Sequence, residues 1–249
     1  MNDVGKVGKP EKMIINGKRL DGRTLNDFRP IIVEVGVLKR AEGSAIFKFG
    51  DTFALAAVHG PRPFHPKHMQ DPQKAILRCR YAMAPFSTNE RIRPGMSRRN
   101  VEISKVLSEA LSNVIFFDDY PKTGIDVFVE ILQADASTRC AGLNAASLAL
   151  TEAGVPIKDL ISSCSVGKVD GELALDIGGD EDQFGDADMV TATIGNEDKF
   201  VLLQMDGILT KDEFFTLLEL AKKGCAEVYE SQKNALKEKY KTGEIDVES

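Results

Sequence analysis

Three stretches of the chain carry side chains whose types and spacing could do chemistry. Residues 132–139 read Leu-Gln-Ala-Asp-Ala-Ser-Thr-Arg. An apolar run ends there, two hydroxyl residues and an arginine follow, and a helical pattern begins at once. A helix start presents unpaired backbone N–H groups and the positive end of the helix dipole. Arg139 adds a cation where first turns normally favour acidic residues, and a bound oxyanion such as phosphate would account for it. Alternatively, Ser137 or Thr138 is only an N-cap, which explains the hydroxyls and not the arginine. The second stretch, Arg91–Arg99, puts four arginines (Arg91, Arg93, Arg98 and Arg99) before and at the opening of another helical pattern. The guanidinium fork suits bidentate contact with phosphate oxygens; a solvated loop with Arg98 or Arg99 paired to Glu102 is the plainer alternative. The third, Asp176–Asp188, holds six carboxylates in thirteen residues. Hard cations such as Mg²⁺ take carboxylate oxygens and keep waters, although a simple acidic surface loop has the same composition. Asp182 lies mid-loop and Asp188 at the start of the next strand, so both could face one point. The spacing is not that of an EF-hand. An anion site, an arginine cluster and a carboxylate loop complement one another, and together they suit phosphoryl transfer on a nucleic-acid backbone.

The elements that must position these residues follow from periodicity. Strands are expected at Ile31–Lys39, Gly43–Phe49, Thr52–Val58, Arg78–Pro85 and Ile125–Ala134, with a loop from Pro61 to Pro72. Ile103, Val106, Leu107, Ala110, Leu111, Val114 and Ile115 recur at three- and four-residue steps, which predicts a helix over about Ser97–Ile115. Leu143, Ala146, Ser147 and Leu150 mark a small-residue helix closed by Gly154 and Pro156. Four more strands are expected at Ser162–Val169, Glu172–Ile177, Met189–Ile194 and Lys199–Met205. Thr210-x-x-Glu213 reads as a capping box opening a last helix, with Phe214, Leu217, Leu218, Ala221 and Cys225 inward and the pattern fading after Lys233. The fold class is therefore α+β. Residues 1–13 are expected to be a flexible tail, 14–240 a single domain with a second strand group at about 160–206, and 241–249 a charged C-terminal tail.

Composition narrows the function classes. The chain has 249 residues with a formal charge of −6, and 43% of its residues are hydrophobic, which suits a globular chain and not a disordered one. The charge is asymmetric: residues 1–100 carry 19 Lys+Arg against 9 Asp+Glu, and residues 101–249 carry 13 against 29. Within 60–99 there are nine basic residues and two acidic ones, with His59, His65 and His68 in or beside the stretch. A polyanion partner is the functional reading; a solvated face is the bland one. No apolar run approaches the ~20 residues of a membrane helix. The four cysteines are far apart and no secretory signal is visible, so a reduced, cytoplasmic location is expected. There is no Gly-x-Gly-x-x-Gly and no Gly-x-x-x-x-Gly-Lys, which argues against dinucleotide or P-loop chemistry.

Seven motifs in one order make the chain similar to the RNase PH family, and within it to the catalytic ring subunits of archaeal exosomes. They are Arg19-Leu20-Asp21-Gly22-Arg23, Gly60-Pro61-Arg62, Pro85-Phe86-Ser87, Ser97-Arg98-Arg99, Ile125-Asp126-Val127-Phe128, Leu132–Arg139, and Glu181-Asp182 through Asp188. The resemblance implies a ribosomal-protein-S5-domain-2-like fold. It also implies a 3′→5′ exoribonuclease in which inorganic phosphate, as co-substrate, attacks the last phosphodiester of single-stranded RNA and releases a nucleoside diphosphate, reversibly. It implies a hexameric ring of three heterodimers with a homologous inactive subunit, topped by RNA-binding cap subunits, and no membrane. Carried over by position, Ser137, Thr138, Arg139 and Arg99 would hold the attacking phosphate, and Arg98 and Arg99 would grip the RNA backbone. Asp182 and Asp188 would be the catalytic carboxylates and would organise Mg²⁺ or Mn²⁺. Arg62, His65 and Lys67 would form an RNA-binding constriction. The family usually has glycine where this chain has Ser137, and we expect the serine hydroxyl to face the phosphate without a left-handed backbone. Two other readings stay open at this stage: a hydrolytic, metal-dependent exonuclease, and a non-catalytic RNA-binding scaffold of the ring.

Overall fold

The computed structural model describes residues 12–242 except 196 and 198. Two short strands, β1 (Ile14–Ile15) and β2 (Lys18–Arg19), precede β3 (Ile31–Val35), β4 (Gly43–Phe49), β5 (Thr52–Pro63) and β6 (Ile76–Met83). Helix α1 (Arg98–Ser112) leads to β7 (Thr123–Gln133), and α2 (Thr138–Glu152) follows almost at once. Then come β8 (Ile161–Val169), β9 (Glu172–Leu175), the short α3 (Gly179–Phe184), β10 (Ala187–Ile194), β11 (Phe200–Gly207) and the long α4 (Lys211–Thr242).

The period-two pattern of β7 puts Ile125, Val127, Val129 and Ile131 in the core. Because both its flanks are paired, β7 sits inside a five-stranded sheet of order β3-β4-β5-β7-β6, with β6 parallel to it and the other pairs antiparallel. The parallel pair needs a crossover, which α1 supplies. A second, antiparallel sheet has the order β11-β10-β8-β9. Between the sheets lies α2, packed on β4, β5 and β7 on one side and on β8 and β10 on the other. That position explains its composition: twelve of its residues are buried, and no amphipathic stripe survives when both faces are covered. Gly142 is required there, since a Cβ would come within 2.9 Å of the Val129 side chain. α4 covers the outer side of β8 through Leu217, Ala221, Cys225 and Val228, with Thr210 and Glu213 exchanging the two bonds of the expected capping box.

Several boundaries differ from the sequence reading, each for a local reason. β5 runs on to Pro63 because pairing with β7 resumes at Arg62 and Pro63 after an irregularity, so part of the expected 61–72 loop is strand. α4 continues past Lys233 to Thr242, where Lys239 pairs with Glu152. Met13, counted in the tail, is buried, and its N–H donates to Asp170 at 2.6 Å. The rest of the expected tails, 1–11 and 243–249, lies outside the described residues. Among the described residues, no helix is long and apolar enough to cross a membrane.

Candidate active site

The C-terminal end of β7 delivers the chain into the loop Ala134–Ser137, and there the backbone turns left-handed twice, at Ala136 (φ 56°) and Ser137 (φ 51°). Neither residue is glycine, so the conformation carries strain that its surroundings must hold. Thr52 accepts from the Asp135 N–H and donates its hydroxyl toward the carbonyls of Asp135 and Ala136. Arg29 donates to the Asp135 carbonyl, to the Asp135 carboxylate at 3.3 Å, and to the Ser137 hydroxyl at 3.1 Å. The Ser137 hydroxyl donates to the Ile177 carbonyl at 3.1 Å and shares a hydrogen bond with Ser165 at 2.7 Å. This corrects the expectation for Ser137: the backbone is left-handed, and the hydroxyl is committed inward. As N-cap of α2 it makes no side-chain cap bond, so the first-turn N–H groups face the site without a serine on them. The Thr138 hydroxyl is likewise engaged, accepting from the Tyr81 hydroxyl at 3.0 Å.

The carboxylate stretch, read as a loop, contains α3. Arg19 is buried and donates to both oxygens of Glu181 and to the carbonyls of Leu175 and Asp176. The Glu181 carboxylate also accepts from the Gly178 N–H at 2.7 Å. Asp182, the next residue, is thereby presented from a short helix clamped by the N-terminal motif. Asp176, left-handed at φ 53° and buried, accepts from the Arg29 N–H, Nε and Nη2 at 2.7–2.9 Å and from Arg23 at 3.2 Å. Arg29 therefore ties the anion loop to the carboxylate segment. Gly179 sits against the Asp135 carboxylate, where a Cβ would collide.

On β10 and β11, Asp188 lies directly opposite Asp206 and Val190 opposite Gln204. Arg139 reaches across to this pair of strands and donates to the Gln204 side-chain oxygen. Glu102 of α1 lies 3.6 Å from the Arg139 guanidinium and accepts from the Gln204 amide at 3.0 Å. Glu102 thus braces Arg139.

These side chains surround a cavity of about 440 Å³ lined by Arg99, Ser137, Thr138, Arg139, Asp182, Asp188, Gln204 and Asp206 among others. A larger groove of about 1310 Å³ shares Arg99, Ala136, Thr138 and Asp182 with it. Its other lining residues include Phe53, Met83, Phe86–Ile92 and Leu132–Asp135. Burial pushes the Asp182 carboxyl above the ordinary aspartate range, against the opposing pull of Arg99, Arg139 and Arg29. Asp188 is also raised, by burial first and then by the negative charges of Asp182 and Asp206. Among the described residues, no group of three or more His, Cys, Asp or Glu is close enough to hold a metal by itself. Two carboxylates facing one cavity with Arg99 and Arg139 nevertheless fit Mg²⁺, which takes one or two carboxylates and fills its shell with water and substrate phosphate oxygens.

The structure thus brings Ser137, Thr138, Arg139, Arg99, Asp182 and Asp188 to one cavity. Arg98, exposed one residue before Arg99, lies outside it. Arg62, His65 and Lys67 lie apart as well: ten residues of β5 separate Arg62 from Thr52, roughly 30 Å of extended chain. Arg62 is held there by Glu42, which also meets His59 at 3.0 Å, while His65 and Lys67 are exposed. Sequence reasoning missed Arg29, Glu102 as a partner of Arg139, Gln204 and Asp206. The last two alternate on a strand that pairs with β10, a signal that needed only the register.

Comparison with known proteins places the chain in a family. The chain matches the 3′ exoribonuclease family (RNase PH) in its domain 1 over residues 27–156 and in its domain 2 over residues 159–224. The chain belongs to the RNase PH family. The two matches meet where the first sheet hands over to the second. A Thermococcus kodakarensis relative, exosome complex component Rrp41, is 55% identical over 237 residues, 94% of this chain and 95% of the relative. The crystal structure of rice (Oryza sativa) Rrp46 superposes with a TM-score of 0.79 at 25% identity, covering 88% of this chain and all of that one. A chain of the Archaeoglobus fulgidus exosome with RNA bound to the active site superposes at 0.74 and 23% identity, covering 86% of this chain and 92% of that one, and shares the fold. The α+β architecture expected of an RNase PH member is therefore the one observed.

Proposed function

We propose that this chain is the catalytic subunit of an exosome ring that shortens single-stranded RNA from its 3′ end by phosphorolysis. One observation carries the reading. The small cavity at the start of α2 adjoins the larger groove, and the two share Arg99, Ala136, Thr138 and Asp182. The groove exceeds the ~300–1,000 Å³ of ordinary small-molecule pockets, as a polymer needs, while the cavity gathers Arg99, Arg139 and the start of α2, the groups an oxyanion needs.

In this mechanism the first-turn N–H groups of α2, with Arg139 and Arg99, hold inorganic phosphate. A phosphate oxygen attacks the terminal internucleotide phosphorus, and the bond from that phosphorus to the penultimate nucleotide's O3′ breaks. The products are a nucleoside diphosphate and RNA shorter by one residue, and the reverse reaction adds residues. Asp182, its carboxyl raised by burial, supplies the proton that the departing O3′ needs. Asp188, with Asp182 beside it, would hold Mg²⁺ or Mn²⁺, which when bound offsets charge on the phosphate oxygens. Glu102 and Gln204 keep Arg139 aimed. Arg98 and the separate Arg62, His65 and Lys67 group would guide the strand through backbone contacts indifferent to sequence. The assembly fitting this role is a hexamer of three heterodimers with a homologous inactive subunit beneath RNA-binding cap subunits.

A hydrolase would not need the anion cavity, and a scaffold would not need Arg99, Arg139, Asp182 and Asp188 together. Asp182→Ala in the reconstituted ring distinguishes the cases. RNA binding should persist while diphosphate release is lost; degradation at the wild-type rate would refute the catalytic assignment.

A further inference from the structure

The groove beside the anion loop bears a large apolar side chain left in the open. Phe86 is 74% exposed, on the Pro85–Glu90 turn between β6 and α1. The turn is not loose. The Ser87 N–H donates to the Ala84 carbonyl at 2.9 Å, and the Ile92 N–H to the Pro85 carbonyl at 3.0 Å. The Ala134 N–H, one residue before Asp135, donates to the Ser87 carbonyl at 2.8 Å. The backbone that carries Phe86 is therefore fixed relative to the loop that opens the phosphate cavity. Exposing a phenyl ring on a rigid turn forfeits apolar burial, and within this groove the exposure has a use.

The surroundings say what would cover it. Arg91 and Arg99 line the same groove, as do the amide side chains of Asn89 and Gln133 and the apolar walls of Phe53, Met83 and Leu132. Guanidinium groups for phosphates, an aromatic face for a base and amides for base edges are the recognition chemistry of unpaired nucleic acid. A second observation concerns the next residue. Ser87 is 3% exposed, and its hydroxyl is the one buried side-chain polar atom among the described residues without a hydrogen-bond partner. Buried polar atoms are rarely left so, and Ser87 is one of the residues that line the groove.

We propose that Phe86 is a stacking platform for a nucleobase of the RNA strand, and that the Pro85–Asn89 turn forms a base subsite beside the phosphate cavity. This rests on the phosphorolytic reading above and adds a contact to bases, which the arginines do not supply. Stacking accepts any base, so the subsite lends affinity and holds the strand without sequence preference. It should act on RNA binding and leave the chemical step and the phosphate alone.

The chain contains no tryptophan, so F86W in the two-subunit ring introduces one reporter into this subunit. Single-stranded RNA added without phosphate should quench its emission, saturating with binding measured by anisotropy; an abasic oligoribonucleotide should bind more weakly and quench little. F86A should raise KM for RNA about five- to a hundredfold, F86Y should restore it, and F86L should not. kcat and KM for phosphate should stay near wild type in all three. Emission that shifts when the partner subunit binds and then ignores RNA would assign Phe86 to a subunit interface and overturn the proposal, as would an unchanged KM for RNA in F86A. If the wild-type ring makes no diphosphates, the functional reading itself fails; if it does and F86W is silent to RNA, only the stacking proposal fails.

Discussion

Ser137 offers the most informative perturbation, because its left-handed backbone and its inward hydroxyl pull a substitution in opposite directions. A non-glycine residue in that region costs about 1–2 kcal/mol. The hydroxyl meets Arg29 at 3.1 Å, Ser165 at 2.7 Å and the Ile177 carbonyl at 3.1 Å. Removing it leaves a charged donor and a carbonyl short of a partner, at about 1–3 kcal/mol. Ser137→Ala keeps the strain and loses the bonds, so it should destabilise by about 2 kcal/mol. Ser137→Gly loses the same bonds and regains the strain, less ~0.4–1 kcal/mol for the freer unfolded chain. Glycine should therefore be the milder change, by about 0.5–1 kcal/mol. Guanidinium unfolding of the two variants with unchanged m-values would measure the gap. Since the hydroxyl does not point at the anion, both variants should keep KM for phosphate within about twofold, less than ~0.5 kcal/mol. Glycine proving the more damaging of the two would refute the left-handed assignment. A tenfold rise in KM for phosphate at unchanged stability would refute the inward hydroxyl.

Other consequences follow from the same network. Arg29→Met strips the buried Asp176 of its closest side-chain partner, which ordinarily costs about 3–5 kcal/mol. Arg23 and the Arg29 backbone N–H remain on Asp176, so about 3 kcal/mol and a Tm lower by roughly 6–12 °C are expected by calorimetry; an unchanged Tm would mean the two loops are not tied through Arg29. Asp188 holds its proton more tightly folded than unfolded, because burial, Asp182 and Asp206 raise it above the ordinary value of 3.8. The penalty for ionising it therefore grows as the pH rises from the unfolded value of 3.8 towards the higher folded value, is complete above the latter, and disappears well below 3.8, where both states are protonated. Asp188→Asn should raise the Tm at neutral pH in metal-free buffer and not at pH 3, and Mg²⁺ should raise the Tm of wild type more than that of the variant. Equal responses to Mg²⁺ would remove Asp188 from the cation site.

Much of the fold is legible in the sequence. Most strands, α1, α2 and α4 follow from period-two and period-3.6 patterns, whereas the meeting of Arg139 and Asp182 at one cavity is implied by the family resemblance and not by any periodicity. What escaped was set by long-range partners. α3 is too short to show a period, and it stands because Arg19, some 160 residues away, clamps Glu181. The left-handed turn at Ala136 and Ser137 defies local preference, and no nearby residue announces Thr52 and Arg29 as its supports. Asp206 and Gln204 belong to the cavity only through the register of β11 on β10. Arg62, His65 and Lys67, read together with the active-site arginines as one basic stretch, are parted by the length of β5.

The central claim is that a free phosphate, held at the start of α2, is the group that attacks the RNA end. Labelled single-stranded RNA incubated with the purified two-subunit ring, with and without inorganic phosphate, tests it most directly. Nucleoside diphosphates should appear only when phosphate is present, with one phosphate consumed for each nucleotide released. Nucleoside monophosphates released without phosphate would contradict it.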